Sequence, residues 1–317
     1  MNHRRRCPPP PPSKRRTPLP WEHPKAHVEE PRVDERLRAI MQHPSYREAD
    51  SDTTFLHEDD ARGVRLQLDY LKAERVLARH GIERSVLVYG STRLRESETA
   101  RRELASARQA LAGQPGDATL ARAVQLAEHR AALSRYYEVG RELGRRVGRA
   151  GIPGLAVLTG GGPGAMESAN RGASEVGAQT VGLNIVLPRE QYPNPYVTPG
   201  LCMQFHYFAM RKLHFMKRAA AIVALPGGYG TLDEVFGALT LIQTRKSAPI
   251  PIVLVGEDYW RRAFDVDFLF EAGSIDEEDR DLFWYAETAE EAWQGILDWH
   301  QRNGSPLLPT TATEASP

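Results

Sequence analysis

The chain has 317 residues, of which 41% are hydrophobic, and its 41 Lys and Arg residues are balanced by 41 Asp and Glu residues. Such a chain is long enough to bury one large α/β core, and a formal net charge of zero argues against a nucleic-acid or membrane binder that works through bulk charge. Only two cysteines occur, Cys7 and Cys202, with no CxxC pair or His/Cys cluster near them, so we expect neither a disulfide framework nor a metal site.

Both ends of the chain are predicted to be disordered tails. Residues 1–30 combine arginines with a proline run at 8–12, and residues 304–317 are rich in proline and threonine. Such segments bury too little apolar surface to offset the entropy lost on ordering. No apolar run reaches the length of a membrane span, and no apolar signal-peptide core follows the basic N-terminus. We therefore expect a cytoplasmic protein without a membrane segment.

The middle of the chain alternates helical and strand patterns. Helices that pack on the core are predicted over 31–82, and an Ala- and Arg-rich helical hairpin over about 96–149, broken at 113–116. Short apolar runs predict strands at 85–91, 155–159, 180–186, 203–208, 221–226, 250–256 and 283–286. This alternation predicts an α/β fold over 83–303: a single domain with a Rossmann-like, doubly wound, mostly parallel sheet flanked by helices.

One stretch, AAIVALPGGYGTLDEVF at 220–236, has a pattern that favours phosphate binding. A buried strand runs directly into a turn that contains Gly227, Gly228 and Gly230. Glycines leave the peptide N–H groups unshielded, so an anion can approach the main chain closely. A helix follows, and its N-terminus attracts negative charge. We therefore predict a phosphate site where this turn meets the helix.

The start of that helix is predicted from a capping box. Thr231 is followed three residues later by Glu234, which is the spacing of an N-cap residue and its partner in the first turn. Two further small-residue turns, at 90–92 and 160–164, follow other predicted strands. Ligands bind at the carboxyl ends of strands in such sheets, so one shared pocket is expected for the three turns.

Other phosphate-dependent chemistries fit the sequence less well. The GxxxxGK[ST] motif of P-loop proteins is absent. GGGPGA at 160–165 matches the loose dinucleotide fingerprint, but residues 183–185 lack the acid that holds the ribose of NAD. No lysine lies in the glycine turns to form a Schiff base with pyridoxal phosphate, and Lys212 is the nearest candidate.

Three segments together carry a resemblance to a known family. They are GGGPGAME at 160–167, FHYFAMRK at 205–212 and PGGYGTLDE at 226–234. In this order they resemble the LOG family, the cytokinin riboside 5′-monophosphate phosphoribohydrolases once mislabelled lysine decarboxylases, and the longer bacterial branch is the nearest match. The similarity extends from about residue 59 to about residue 302.

The resemblance implies an enzyme that hydrolyses the N-glycosidic bond of a nucleoside 5′-monophosphate, either AMP or a cytokinin riboside 5′-monophosphate, without a cofactor or a metal. It implies a homodimer or higher homo-oligomer, and it assigns Arg211 and Glu234 to catalysis. A carboxylate beside the ribose would stabilise an oxocarbenium-like state and orient or deprotonate the attacking water. The remaining implied site residues are Gly227, Gly228, Gly230 and Thr231 for the phosphate, and Ser91, Gly162, Met166, Glu167 and Lys212 for the base and ribose.

Each of these roles has an alternative. The role of Glu234 could be limited to closing the capping box, that of Glu167 to complementing a helix dipole, and that of Ser91 to ending a strand. Arg211 and Lys212 could form a solvated helix face. The aromatic residues His206, Tyr207, Trp284 and Tyr285 are predicted to pack in the core. For the whole protein, a noncatalytic nucleotide or cofactor carrier of the same fold stays open, as does an interaction protein that binds a partner through its basic, proline-rich tail.

Overall fold

The computed structural model describes residues 32–186 and 192–308. The chain divides into two compact units between Arg65 and Leu66. The first unit contains the helices α1 (Val33–Gln42) and α2 (Thr53–Leu56) and two short 3-10 helices, Pro44–Tyr46 and Asp59–Ala61. Helix α3 (Arg62–Arg79) begins in the first unit, and from Leu66 onward it belongs to the second.

The second unit contains one sheet of seven parallel strands, which confirms the predicted fold class. The five central strands are buried on both faces, which is why they read as continuous apolar runs. In the edge strand at Cys202–Phe205, exposed and buried residues alternate. The order across the sheet is β4-β3-β2-β1-β5-β6-β7. The strands are β1 (Arg84–Tyr89), β2 (Leu155–Thr159), β3 (Thr180–Ile185), β4 (Cys202–Phe205), β5 (Ala219–Ala224), β6 (Ile252–Val255) and β7 (Trp284–Ala286).

Helices cover both faces of the sheet and form two apolar cores. The remaining helices are α4 (Ser97–Gly113), α5 (Ala118–Leu133), α6 (Arg135–Arg149), α7 (Ala165–Glu175), α8 (Phe208–Lys217), α9 (Tyr229–Gln243), α10 (Glu257–Ala263), α11 (Val266–Glu271) and α12 (Ala289–Arg302), with a 3-10 helix at Glu277–Leu282. One core joins the sheet to α6, α7 and α12. The other joins it to α3, α8, α9 and α10. The sheet is therefore doubly wound, as predicted.

The predicted helical hairpin over 96–149 consists of three helices instead of two. Helices α4 and α5 pack against each other, and Asp117 caps α5 by accepting hydrogen bonds from the N–H groups of Thr119 and Leu120. Ser134 then separates α5 from α6. Its hydroxyl donates to the Ala131 carbonyl oxygen at 2.7 Å, which competes with the helical hydrogen-bond ladder at that point.

Helices α6 and α7 approach each other closely because glycines line their contact. A Cβ added at Gly144 would overlap the Ala169 carbonyl oxygen, and one at Gly172 would overlap the Arg141 carbonyl oxygen. Only glycine allows two backbones to come this near. The contact fixes α7, whose first turn reaches the carboxyl edge of the sheet.

The predicted tails lie mostly outside the described residues. Residues 1–31 and 309–317 are not among them. Part of the predicted C-terminal tail is structured, however, because Leu307 is only 4% exposed and packs in the apolar core with α12. Two leucines between prolines are too short an apolar run to have predicted this contact.

Candidate functional site

The strand order creates a crevice between β1 and β5. The chain leaves β1 toward β2 on one side of the sheet and leaves β5 toward β6 on the other. Such a switch point is where ligands bind in open α/β sheets. A cleft of about 590 Å³ lies there, within the usual size range of small-molecule sites. The predicted site residues that line it are Ser91, Met166, Arg211, Gly228, Gly230, Thr231 and Glu234.

The glycine turn lies at one end of the cleft, but the helix after it begins earlier than predicted. Helix α9 starts at Tyr229, and Gly228 is its N-cap residue without a side-chain cap. Thr231 is therefore inside the first turn, and its N–H already donates to the Gly228 carbonyl oxygen at 2.9 Å. The predicted capping box of Thr231 and Glu234 is wrong. Glu234 lies in the second helical turn, so capping does not account for a carboxylate at that position.

Gly227 has a packing role in this turn and does not line the cleft. A Cβ there would overlap the Thr231 side chain and would lie 3.0 Å from the Ser91 nitrogen. Its carbonyl oxygen accepts a hydrogen bond from the Tyr259 hydroxyl at 2.7 Å. Gly228 and Gly230 differ, since a Cβ added at either would meet no atom within 4 Å. The open side of the turn is thus formed by these two glycines.

Ser91 joins the three turns at the rim of the sheet. Its N–H donates to the Pro226 carbonyl oxygen at 2.9 Å, and its carbonyl oxygen accepts from the N–H of Ala165 at 3.0 Å. Gly164 precedes Ala165 with a φ of 72°, and a Cβ there would overlap the Ser91 carbonyl. The expectation that these turns share one pocket fits this arrangement.

Three site residues were predicted in the glycine turn after β2 and the start of α7, and one of them lines the cleft. That residue is Met166. The Gly162 carbonyl oxygen instead accepts from Asn194, and the same Asn194 amide donates to Asn170 at 2.9 Å. Glu167 accepts a hydrogen bond from the Tyr137 hydroxyl at 2.8 Å, which ties α7 to α6. Gly162 and Glu167 therefore support the turn without facing the cleft.

Helix α8 carries Arg211 to the cleft, and an acid from α3 holds the start of that helix. The Asp69 carboxylate accepts from the N–H groups of His206 and Tyr207 at 2.9 and 3.0 Å. Tyr207 is the N-cap residue and its own side chain makes no cap, so Asp69 holds the start of α8 by satisfying the N-cap N–H group from another helix. Because β4 ends at Phe205, His206 is exposed and Tyr207 is half-buried, so the prediction that both pack in the core is wrong.

Lys212 lies next to Arg211 but does not line the cleft. Its ammonium group donates to the backbone carbonyl and to the carboxylate of Asp233, both at 3.0 Å. The same ammonium group is 3.9 Å from the Glu234 carboxylate. Lys212 thus links α8 to α9 beside the cleft, and it contributes positive charge near Glu234.

Arg211 and Glu234 form a buried charge pair. Their side chains are 15% and 7% exposed, and the guanidinium lies 3.8 Å from the carboxylate. This separation exceeds a hydrogen bond, so both groups keep hydrogen-bonding capacity for a ligand. Burial raises the pKa of Glu234, while the nearby Lys212 and Arg211 oppose that rise. Burial likewise lowers the pKa of Arg211, and the Glu234 charge opposes that change.

Several residues line the cleft that sequence reasoning did not assign to it. Tyr89 and Asn184 come from the ends of β1 and β3, and Phe208 and Phe215 come from α8. Each belongs to an apolar or strand pattern that reads as core, so only the strand order could have indicated them. Trp284 and Tyr285, predicted as core residues, are half-buried and pack against the two apolar cores.

Within the described ranges, no group of three or more His, Cys, Asp or Glu side chains is arranged to hold a metal ion. No helix in the same ranges is long and apolar enough to cross a membrane.

Comparisons with known proteins find a family match and curated relatives. Residues 166–296 match the protein family described as "Possible lysine decarboxylase". The chain is 29% identical over 159 residues to the cytokinin riboside 5′-monophosphate phosphoribohydrolase LOG of Oryza sativa subsp. japonica, covering 49% of this chain and 64% of that one. It is 32% identical over 133 residues to the pyrimidine/purine nucleotide 5′-monophosphate nucleosidase of Escherichia coli (strain K12), covering 37% and 29%. The chain thus spans less than two thirds of the length of these relatives.

Among solved structures, the molybdenum cofactor binding protein from the phototrophic bacterium Rippkaea orientalis is similar over 52% of this chain and 87% of its own. The sequence identity is 20% and the TM-score is 0.37.

The fold and the cleft define a Rossmann-like α/β protein with a glycine turn, an arginine and a buried carboxylate at the switch point of its sheet. The match over residues 166–296 and the curated relatives confirm the resemblance to the LOG family that its three sequence segments carry.

Proposed function

We propose that this protein hydrolyses the N-glycosidic bond of a nucleoside 5′-monophosphate, AMP or a cytokinin riboside 5′-monophosphate, to give the free base and ribose 5-phosphate. The observation that carries the proposal is the Arg211–Glu234 pair, buried in the same cleft as the open side of the glycine turn. The relatives named above, phosphoribohydrolases and nucleosidases of nucleoside monophosphates, support the reaction class.

The phosphate would bind at the start of α9. The first N–H groups of a helix have no intrahelical partner and are available to an anion. In α9 the N–H groups of Thr231 and Leu232 already donate to the Gly228 carbonyl oxygen, so the available ones precede them. We therefore assign the phosphate to the N–H groups of Gly228, Tyr229 and Gly230 and to the Thr231 hydroxyl. The positive end of the α9 dipole adds to this attraction.

The sugar would then lie against Glu234. As the bond between C1′ and the base nitrogen breaks, positive charge develops on the sugar, and a nearby carboxylate stabilises it. Water attacks C1′ as the bond to the base nitrogen breaks, Glu234 accepts a proton from that water, and the proton passes through solvent to the departing base nitrogen, which regenerates the carboxylate. The raised pKa of Glu234 makes its carboxylate a stronger base than an exposed glutamate.

Arg211 would orient the carboxylate and the nucleotide. Its guanidinium lies over the rings of Phe208 and Phe215, 4.9 and 5.5 Å from the ring centroids, which restricts its position. A planar group with several donors fixes geometry as well as charge. We propose that three residues support the cleft without contacting the nucleotide: Lys212, Glu167 and Gly162. We further propose that Ser91 and Met166 contact the sugar and base.

Turnover of AMP and isopentenyl-AMP, followed by release of the free base, tests the proposal. We expect Glu234→Gln and Arg211→Ala to keep the native circular dichroism spectrum and to lose about 10²- to 10⁴-fold in kcat/KM, as for removal of a general base or its partner. Glu257→Gln and Arg261→Ala are matched controls, because this pair is exposed on α10, with side-chain exposures of 46% and 51%.

Two outcomes would contradict the proposal. Retention of most activity in Glu234→Gln would refute the role of the carboxylate. Binding of monophosphates by the unaltered protein without any turnover would instead favour the noncatalytic carrier. The homodimer and the cytoplasmic location stay predictions, and light scattering of the purified protein tests the first.

A further inference from the structure

Tyr89 carries a hydroxyl group that the fold leaves without a partner. Among the described residues, five buried side-chain nitrogen or oxygen atoms have no hydrogen-bond partner. Two of them, the Tyr89 hydroxyl oxygen and Arg211 Nε, belong to side chains that line the cleft. A buried polar group without a partner is destabilising, whereas phenylalanine would fill the same space without that cost. Stability therefore gives no reason for a tyrosine here.

The position of the Tyr89 ring is fixed beside the catalytic pair proposed above. Tyr89 is the last residue of β1 and is 5% exposed. Its ring packs edge-on against Phe215, with centroids 5.4 Å apart, and the Arg211 guanidinium lies 5.5 Å from the same Phe215 ring. Tyr89 and Arg211 thus share one aromatic neighbour, and Glu234 lines the same cleft.

The charges around Tyr89 favour a phenol that stays protonated. Burial raises its pKa well above the ordinary value, the Glu234 carboxylate raises it further, and Arg211 opposes the rise. A neutral phenol can donate a hydrogen bond to a carboxylate. The charged groups that face Glu234 are Arg211 and Lys212 from α8 and Asp233 from its own helix, so Tyr89 on β1 adds a neutral donor to this set.

We propose that Tyr89 is a positioning residue whose hydroxyl donates to the Glu234 carboxylate once a nucleotide occupies the cleft, holding that carboxylate as an anion directed at the sugar. The inference rests on the proposed function. It assigns the orphaned hydroxyl a role that a phenylalanine could not fill.

Tyr89→Phe tests this with a minimal change. Because the lost hydroxyl has no partner in the free protein, we expect a Tm equal to or above that of the unaltered protein. In the substrate complex, loss of the donor makes Glu234 harder to ionise. The pH dependence of kcat reports the pKa values of groups in the substrate complex. With AMP, its acid limb should move up by about one pH unit, and the acid limb of kcat/KM should move by less.

Tyr259→Phe is the matched control. The Tyr259 hydroxyl donates to Gly227 in the turn and not to an acid, so this variant should raise KM without moving the acid limb. A uniform loss of activity at every pH in Tyr89→Phe, an unshifted acid limb, or a Tm several degrees lower would each overturn the proposal.

A second measurement separates this inference from the proposed function. The pH titration of the Glu234 carboxyl group is followed by carbon-13 NMR in protein mixed with ribose 5-phosphate. The signal is assigned by its absence in Glu234→Gln, and the titration midpoint is compared between Tyr89→Phe and the unaltered protein. The midpoint should be about one unit higher in Tyr89→Phe than in the unaltered protein. If no monophosphate is hydrolysed, the proposed function fails while this titration still decides the role of Tyr89. An equal midpoint in both proteins would refute it.

Discussion

Gly230→Ala separates stability from ligand binding at the glycine turn. Gly230 is the second residue of α9, and an added Cβ would meet no atom within 4 Å. Replacing a helical glycine by alanine stabilises by about 0.5 to 1 kcal/mol, which corresponds to a rise in Tm of roughly 1 to 2 °C for a chain of this size. The same methyl group would stand in the cleft and push a phosphate away from the N–H groups. Loss of one charged hydrogen bond weakens binding by about tenfold or more.

The assay combines thermal unfolding with calorimetric titration of ribose 5-phosphate. Gly227→Ala is the contrasting variant, because its Cβ would overlap Thr231 and lie 3.0 Å from the Ser91 nitrogen. We expect it to lose about 1 to 3 kcal/mol of stability through overpacking. Unchanged ribose 5-phosphate affinity in Gly230→Ala would refute the phosphate site, and an undiminished Tm in Gly227→Ala would refute the close contact.

Two further predictions concern residues outside the cleft. Asp69→Ala should lower the free energy of unfolding in urea by about 1 kcal/mol, as other lost helix caps do. It should also lower turnover, because α8 carries Arg211. Asp69→Asn keeps a hydrogen-bond acceptor and should retain most of the stability and most of the turnover. Hydrogen bonds from Arg218, and then from Lys217, lower the pKa of Glu74 from 4.5 to about 2. Since this pKa is depressed in the folded state, the stabilisation is present above pH 4.5 and is lost as the pH falls toward 2. Urea unfolding should show that Glu74→Gln has a lower free energy of unfolding than the unaltered protein at neutral pH. This difference should shrink as the pH falls from 4.5 toward 2, and a constant difference would contradict the prediction.

The fold was predictable because strand and helix patterns in this chain are local. All seven strands lie where short apolar runs predict them, and β2 has the predicted bounds. The order of the strands is not encoded locally, and it is what identifies the switch point between β1 and β5. The start of α9 was misplaced because the Thr231 and Glu234 spacing imitates a capping box, whereas a glycine N-cap has no sequence signature.

The candidate site was predictable where its residues lie in motifs. Arg211, Glu234 and the open glycines are within the segments that resemble the family, and the structure brings them to one cleft. Glu167 was not separable from them, because its partner Tyr137 is 30 residues away in the chain. Asp69 lies more than 130 residues before the helix that it caps, and no local pattern marks such a contact. The role of each of these residues in catalysis stays a prediction.

The backbone contact between α6 and α7 limits how this cleft can be redesigned. Gly144 and Gly172 leave no volume for even a methyl group, so a substitution there would force the two helices apart and shift Met166. Phe208 on α8 also lines the cleft, yet its side chain is 56% exposed. Redesign of the cleft should therefore keep both glycines, and at Phe208 it should keep an aromatic ring because the Arg211 guanidinium lies over it.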